Sequence, residues 1–205
     1  MSFWTLEEFQ RFITALYDEE FIYKLFYFTA YFTGLRVGEL LALKWDDIDF
    51  NRNEIHVNET LSRVNGQNIV TSPKSTTSNR YITINNKLAQ LLFTWKKEQK
   101  NLLQSFLLTE QHLQNATVFQ HNIEIAQRET FVTKKIQRIC KRCAVHPIRL
   151  HDFRHSHAAL LIDNGENITV IKERMGHASI TTTIDTYGHL FPNKQREMSD
   201  KLDFL

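Results

Sequence analysis

Cysteine is scarce in this 205-residue chain: there are two, Cys140 and Cys143. Two thiols cannot make the disulfide framework of a small secreted fold. Their lone C-x-x-C spacing lies in a basic stretch, and a zinc site would call for a second pair that the sequence lacks. Reduced thiols and no metal are the expectation. With 6 glycines and 3 prolines, the chain does not read as collagen-like, low-complexity or disordered. It also has no long hydrophobic run. The most apolar stretch, Phe21–Gly34, is short and carries Lys24 and Thr29, so it reads as a buried helix and not a membrane span. The start, Met1-Ser2-Phe3-Trp4, leads directly into a helix signal, and no signal peptide is expected. Glycine-rich phosphate loops and dinucleotide fingerprints are missing as well.

What is present is an ordinary globular composition, 42% hydrophobic and 23% charged, long enough for one domain with a real core. The net charge of +2 excludes little, but its distribution is uneven. Between Phe131 and Arg154 stand Lys134, Lys135, Arg138, Lys141, Arg142, Arg149 and Arg154 against one acid, Asp152. Such a face attracts a polyanion, or is simply a solvated helix side.

The hydrophobic period predicts helices first. Thr5 and Glu8 have capping-box spacing, and Trp4 with Phe9 has staple spacing, for a helix to about Tyr17. A second helix spans about Glu20 to Thr33 and stops at Gly34; a third begins near Arg36. Residues 54–60, 68–71 and 81–84 alternate like strands, and Asn65-Gly66 is a turn signal between the first two. Helical pattern returns at 86–98, 128–143, 151–163, 168–175, 179–186 and 193–204. The expected fold is mainly α with a small three-stranded antiparallel β-sheet, an α+β arrangement.

Some residues suit phosphate chemistry. His151 and Arg154 share a helix face, as do Arg36 and Glu39. Glu39 can fix Arg36 by carboxylate–guanidinium pairing, and Arg36 lies at a helix N-terminus that favours anions. Two fixed arginines can bracket the oxygens of one phosphate and stabilise its transition-state charge. Tyr187 is a candidate nucleophile, but a phenol attacks poorly at its ordinary pKa of about 10 and needs help. His151 is a candidate base, His177 a candidate phosphate donor, and Lys74, in a polar loop between strands, a candidate acid for a leaving oxygen. His151 and His155 also have metal-pair spacing, yet no further ligand follows and Arg154 would repel a cation. Asp46, Asp47 and Asp49 read as a turn, not a two-metal site.

In order, T-G-L-R-V-G-E-L (33–40), L-K-W-D-D-I-D (43–49), a hairpin lysine, H-D-F-R-H (151–155) and G-H-A-S-I-T-T-T-I-D-T-Y-G-H-L (176–190) resemble the catalytic domain of tyrosine recombinases, the phage-integrase family. The last motif is most similar to integrases of Gram-positive phages and conjugative transposons. The resemblance covers nearly the whole chain. It implies that Arg36 and Arg154 bind the scissile phosphate, Lys74 protonates the 5′-oxygen, His151 assists as base, His177 is the second histidine and Tyr187 forms a 3′-phosphotyrosine. It implies double-stranded DNA as substrate, no cofactor, and a cytoplasmic setting. Lys134, Lys135, Arg138, Lys141 and Arg142 become candidate DNA contacts. Residues 1–205 would be one catalytic domain, without the core-binding and arm-binding domains that usually precede it. The apolar face of the tail (Leu190, Phe191, Met198, Leu202, Phe204, Leu205) would dock on a neighbouring protomer in a tetramer, or on its own domain. A non-catalytic DNA-binding protein of the same fold and a type IB topoisomerase-like enzyme are the alternatives. Without DNA, the Tyr187 hydroxyl is expected to lie at least partly out of place.

Overall fold

The computed structural model describes residues 2–72, 76–106, 111, 115–122, 130–191 and 199. Helix α1 (Leu6–Thr14) opens with the expected capping box: Thr5 Oγ1 accepts from Glu8 N–H at 3.3 Å, and Glu8 Oε2 accepts from Thr5 N–H at 2.9 Å. It ends at Thr14, short of Tyr17. Helix α2 (Phe21–Thr33) is apolar on nearly every side, the mark of a central helix. Tyr31 stacks on Phe9 at 3.8 Å, and Tyr27 stacks on Phe153 at 5.6 Å while donating its hydroxyl to Val132 O at 2.6 Å. Each such aromatic pair adds about 0.5–1.5 kcal/mol beyond its buried area.

Gly34 ends α2 with φ of 65°, and a Cβ there would stand 2.6 Å from His157 Cδ2. Only glycine meets both demands, so the chain turns sharply into α3 (Val37–Ala42).

The strands are β1 (Ile48–Asp49), β2 (Glu54–Val57), β3 (Thr60–Val64), β4 (Gln67–Thr71) and β5 (Arg80–Thr83). A three-stranded antiparallel sheet forms in the order β1-β2-β5, and β3-β4 is a separate hairpin. This corrects the expected pairing. Residues 54–60 split after Val57, and the Asn65-Gly66 turn joins β3 to β4, not β2 to β4. The reason is the face each segment offers. Ile55 and Val57 of β2, and Arg80 and Ile82 of β5, alternate inward, whereas every residue of β4 is exposed. Asp46, Asp47 and Asp49 lie in and after a turn, where Asp47 accepts from Lys44 N–H and Asp49 from Asn51 and Arg52 N–H.

The remaining helices are α4 (Asn86–Ser105), α5 (Thr130–Cys143), α6 (Asp152–Asp163), α7 (Ile168–Met175) and α8 (Ile180–Tyr187). Helix α4 runs past the expected end at Glu98, and its buried Gln99 amide reaches the carbonyls of Thr117, Val118 and Gln120. Helices α6, α7 and α8 enclose a second small core of Ala158, Ile162, Ile171, Met175 and Tyr187. Arg174 ties α7 to the main core through the carbonyls of Phe32 and Thr83, and donates Nε–H to His157 Nε2 at 2.9 Å. Among the described residues no helix is long and apolar enough to cross a membrane.

Candidate active site

The turn after α2 delivers Arg36 to the N-cap of α3. Glu39, one turn on, accepts from Arg36 N–H at 2.8 Å through Oε2 and from Arg36 Nη1 at 2.8 Å through Oε1. The expected pairing is present. Glu39 also takes Arg80, which the sequence reading passed over: Nη1 and Nη2 lie 3.2 and 3.1 Å from its two oxygens. Burial pushes the Glu39 carboxyl up, but Arg80 and Arg36 outweigh it and hold the group below the usual carboxylate range. Arg80 then anchors to Arg174 O at 2.8 Å and Ser78 O at 3.1 Å. Its one sequence signal is phase: in β5 it shares the inward face with Ile82.

Arg154 rises from α6 and is 4% exposed. Its guanidinium donates to Gly34 O at 2.7 Å and to Met175 O. Arg36 donates to the next carbonyl, Gly176 O, at 3.3 Å. Two cations from distant parts of the chain are thus fastened to consecutive carbonyls at the C-terminus of α7, where the helix dipole favours positive charge. Burial, then the neighbouring Arg36, pull the Arg154 pKa down to about 9, which leaves it protonated at neutral pH.

His177 follows Gly176. Its Nδ1 is 2.9 Å from Thr183 Oγ1, and its ring lies parallel to Tyr187 at 6.5 Å. Burial, then Arg154 and Arg36, lower its pKa to about 4, so it is neutral. His151 is exposed at the start of α6, with its ring 5.0 Å from His155, edge to face.

Tyr187 ends α8 and is 1% exposed. Burial raises its pKa, opposed by Arg154 and Arg36. Its hydroxyl is 2.9 Å from His155 Nδ1. The ring is packed inside the second core, and the hydroxyl is held by His155. The expected base, His151, is not its partner. His155 was weighed only as half of a metal pair.

Lys74 lies outside the described residues, as does the tail from 192 on apart from residue 199. Of the basic stretch, Lys135 and Arg142 both pair with Glu20 at 3.0 Å, fastening α5 to the start of α2. Lys134, Arg138 and Lys141 are exposed. Cys140 is buried, which pushes its thiol up to about 12. Among the described residues no group of three or more His, Cys, Asp or Glu could hold a metal ion.

Both the sequence and the fold match known proteins. Residues 3–194 match the sequence profile of the phage integrase family. The ICEBs1 integrase of Bacillus subtilis strain 168 is 48% identical over 205 residues, covering 100% of this chain and 55% of that protein. The tyrosine recombinase XerC-like protein of Caldanaerobacter subterraneus is 27% identical over 192 residues, covering 89% of this chain and 49% of that one. The chain spans about half the length of the curated relatives it matches. Among solved structures, the Tn1549 transposon integrase in complex with circular intermediate DNA superposes with a TM-score of 0.78 at 21% identity, over 98% of this chain and 67% of that one. The catalytic domain of bacteriophage HP1 integrase superposes at 0.59 and 17% identity, over 98% and 94%. With profile, relatives and fold in accord over almost its full length, the chain belongs to the phage integrase family.

Proposed function

We propose that the chain is the catalytic domain of a site-specific DNA recombinase that cuts and rejoins double-stranded DNA through Tyr187. One observation carries this reading: Arg36 and Arg154 are fastened to the adjacent carbonyls of Gly176 and Met175, beside a buried tyrosine whose acidity both arginines raise. Paired guanidinium groups suit the non-bridging oxygens of a phosphodiester and the charge that grows on them in the transition state.

In this mechanism Tyr187 Oη attacks phosphorus and the 5′-oxygen leaves, giving a 3′-phosphotyrosine and a free 5′-hydroxyl. Lys74 protonates the 5′-oxygen, His151 assists as base, and His177 hydrogen-bonds the phosphate. The new linkage keeps the free energy of the old one, so a 5′-hydroxyl can attack it in reverse without ATP or a metal. Lys134, Arg138 and Lys141, exposed on α5, would contact the DNA backbone, with Lys135 and Arg142 holding that helix in place. The reaction would take place in the cytoplasm, in a tetramer on DNA joined through residues 190–205. The DNA complex of the Tn1549 integrase, which shares the fold, supports DNA as the partner.

The test is a nicked suicide DNA carrying the recombination site. A covalent protein–DNA adduct is expected from the chain and none from Tyr187→Phe. Arg36→Ala and Arg154→Ala should each slow adduct formation about 10²–10³-fold. Relaxation of any supercoiled DNA without site preference would favour the topoisomerase alternative, and DNA binding without an adduct the non-catalytic one.

A further inference from the structure

We propose that Arg174 is a positioning residue for strand cleavage: its side chain fixes the end of α7, and through it the placement of Arg36 and Arg154. This rests on the recombinase reading and names a residue that reading does not use.

Three successive carbonyls close α7, and each takes a guanidinium. Arg174 O accepts from Arg80 Nε at 2.8 Å, Met175 O from Arg154, and Gly176 O from Arg36 at 3.3 Å. Where this turn lies therefore decides where the two cations of the candidate phosphate site are held. The Arg174 side chain ties the turn down. Its three nitrogens reach three different elements: Nε donates to His157 Nε2 on α6 at 2.9 Å, Nη1 to Thr83 O at the end of β5 at 3.0 Å, and Nη2 to Phe32 O on α2 at 3.0 Å. A rigid planar fork can serve three separate fixed acceptors at once, and the single nitrogen of a lysine cannot.

Those acceptors belong to the frame of the site. Phe32 O lies in the last turn of α2, where carbonyls lack a partner within the helix and a cation is favoured. Two residues on, Gly34 O accepts from Arg154, and two further stands Arg36 itself. Arg174 thus joins the end of α2 that leads to Arg36 to the end of α7 that receives it. His157 packs against the same turn, since a Cβ on Gly34 would stand 2.6 Å from its Cδ2. The imidazole is buried, and burial, then Arg174, lower its pKa to about 3. Nε2 therefore keeps its lone pair for the Arg174 N–H at neutral pH.

A direct DNA contact is the other role open to a half-buried arginine near the site. It fits less well, because each nitrogen already donates to a protein acceptor, and turning to a phosphate would break all three hydrogen bonds.

Two experiments test the assignment. The first needs no DNA: the guanidinium 15N–1H signals of Arg36 and Arg154 are followed in the full chain. They should move in Arg174→Met and Arg174→Lys, and stay in place in Leu92→Ala, a destabilised control in the main core on α4. Signals that hold still in the Arg174 variants, or move as far in the control, overturn the inference. The second follows single-turnover adduct formation on suicide DNA. Arg174→Met should slow it about 10²-fold, the cost of a small misplacement of groups that act on the reaction, with unchanged DNA affinity. Arg174→Lys should recover little of that loss, because it restores the charge and not the fork. In an Arg36→Ala background Arg174→Met should cost far less, since one of the two groups it positions is already gone. A wild-type rate in Arg174→Met, full recovery by lysine, DNA affinity that falls with the rate, or the full loss repeated in the Arg36→Ala background each overturns the positioning role and leaves the recombinase reading intact. If Arg174→Met does not fold, Arg174→Lys takes its place in the affinity measurement and in the Arg36→Ala background, with the same outcomes. A wild type that forms no adduct on its site overturns the recombinase reading, and the guanidinium signals still decide whether Arg174 places the two arginines.

Discussion

Glu39 receives Arg80 as a fork, each guanidinium nitrogen on its own carboxylate oxygen, although the two residues are 41 positions apart. The same carboxylate holds Arg36. Glu39 therefore sets the distance between a buried structural cation and one that faces the candidate phosphate site.

Arg80→Ala removes one partner of a buried ion pair and leaves Glu39 to Arg36 alone. Breaking such a pair costs on the order of 3–5 kcal/mol, because the remaining charge stays desolvated. The urea midpoint should fall accordingly. The double variant Glu39→Gln/Arg80→Leu should recover part of that loss, yet still cleave slowly, since Arg36 loses its holder. An Arg80→Ala chain as stable as wild type would contradict the coupling.

Glu20 gives a pH dependence. Burial pushes its carboxyl up, but hydrogen bonds from Lys135 and Arg142 win and bring the pKa from the ordinary 4.5 down to about 2. A depressed folded pKa means the contribution is complete above about 4.5 and fades as the pH falls toward 2. The difference in urea midpoint between wild type and Glu20→Gln should be largest at neutral pH and shrink steadily below 4.5. A gap that widens on acidification would reverse the assignment.

At Gly38 a Cβ would stand 2.5 Å from Thr60 Oγ1 and 2.6 Å from Leu61 O. The second atom is backbone and cannot rotate away. Gly38→Ala should push β3 off α3 and cost about 1–3 kcal/mol as overpacking. Amide exchange in residues 60–71 should quicken before the rest of the fold is affected. Unchanged protection there would show that the hairpin can shift without loss.

Thr183→Val removes the hydroxyl 2.9 Å from His177 Nδ1 while nearly keeping its volume. One hydrogen bond is worth about 0.5–1.5 kcal/mol, so adduct formation should slow up to about tenfold. DNA affinity measured by gel shift should not change. A wild-type cleavage rate would mean that His177 is held by packing alone.

Local signals in the sequence were legible because the groups that make them are neighbours. The Thr5–Glu8 cap, the Arg36–Glu39 pair and the limits of α7 all depend on residues within a turn or two of each other. Strand pairing was less so. Residues 54–57 skip the adjacent hairpin to reach 80–83, a choice made by which faces the core can cover. Arg80 was passed over, because its partner Glu39 lies on another element. His155 shares a face with His151 in any helical reading, but which of them meets Tyr187 depends on how α8 seats against α6, and no spacing within α6 encodes that.

The arginines of the site hang from peptide carbonyls: Gly34 and Met175 for Arg154, Gly176 for Arg36, Ser78 and Arg174 for Arg80. No substitution deletes a peptide carbonyl. A replaced side chain at an acceptor position acts only through the course it imposes on the end of α7. Inactivating changes should then cluster where the backbone can be steered, at helix ends and packed glycines, and not at the acceptor positions as such. Met175 and Gly176 are also one residue apart, so a shift that frees one arginine frees the other. A change in the course of this turn should therefore be felt at both arginines together.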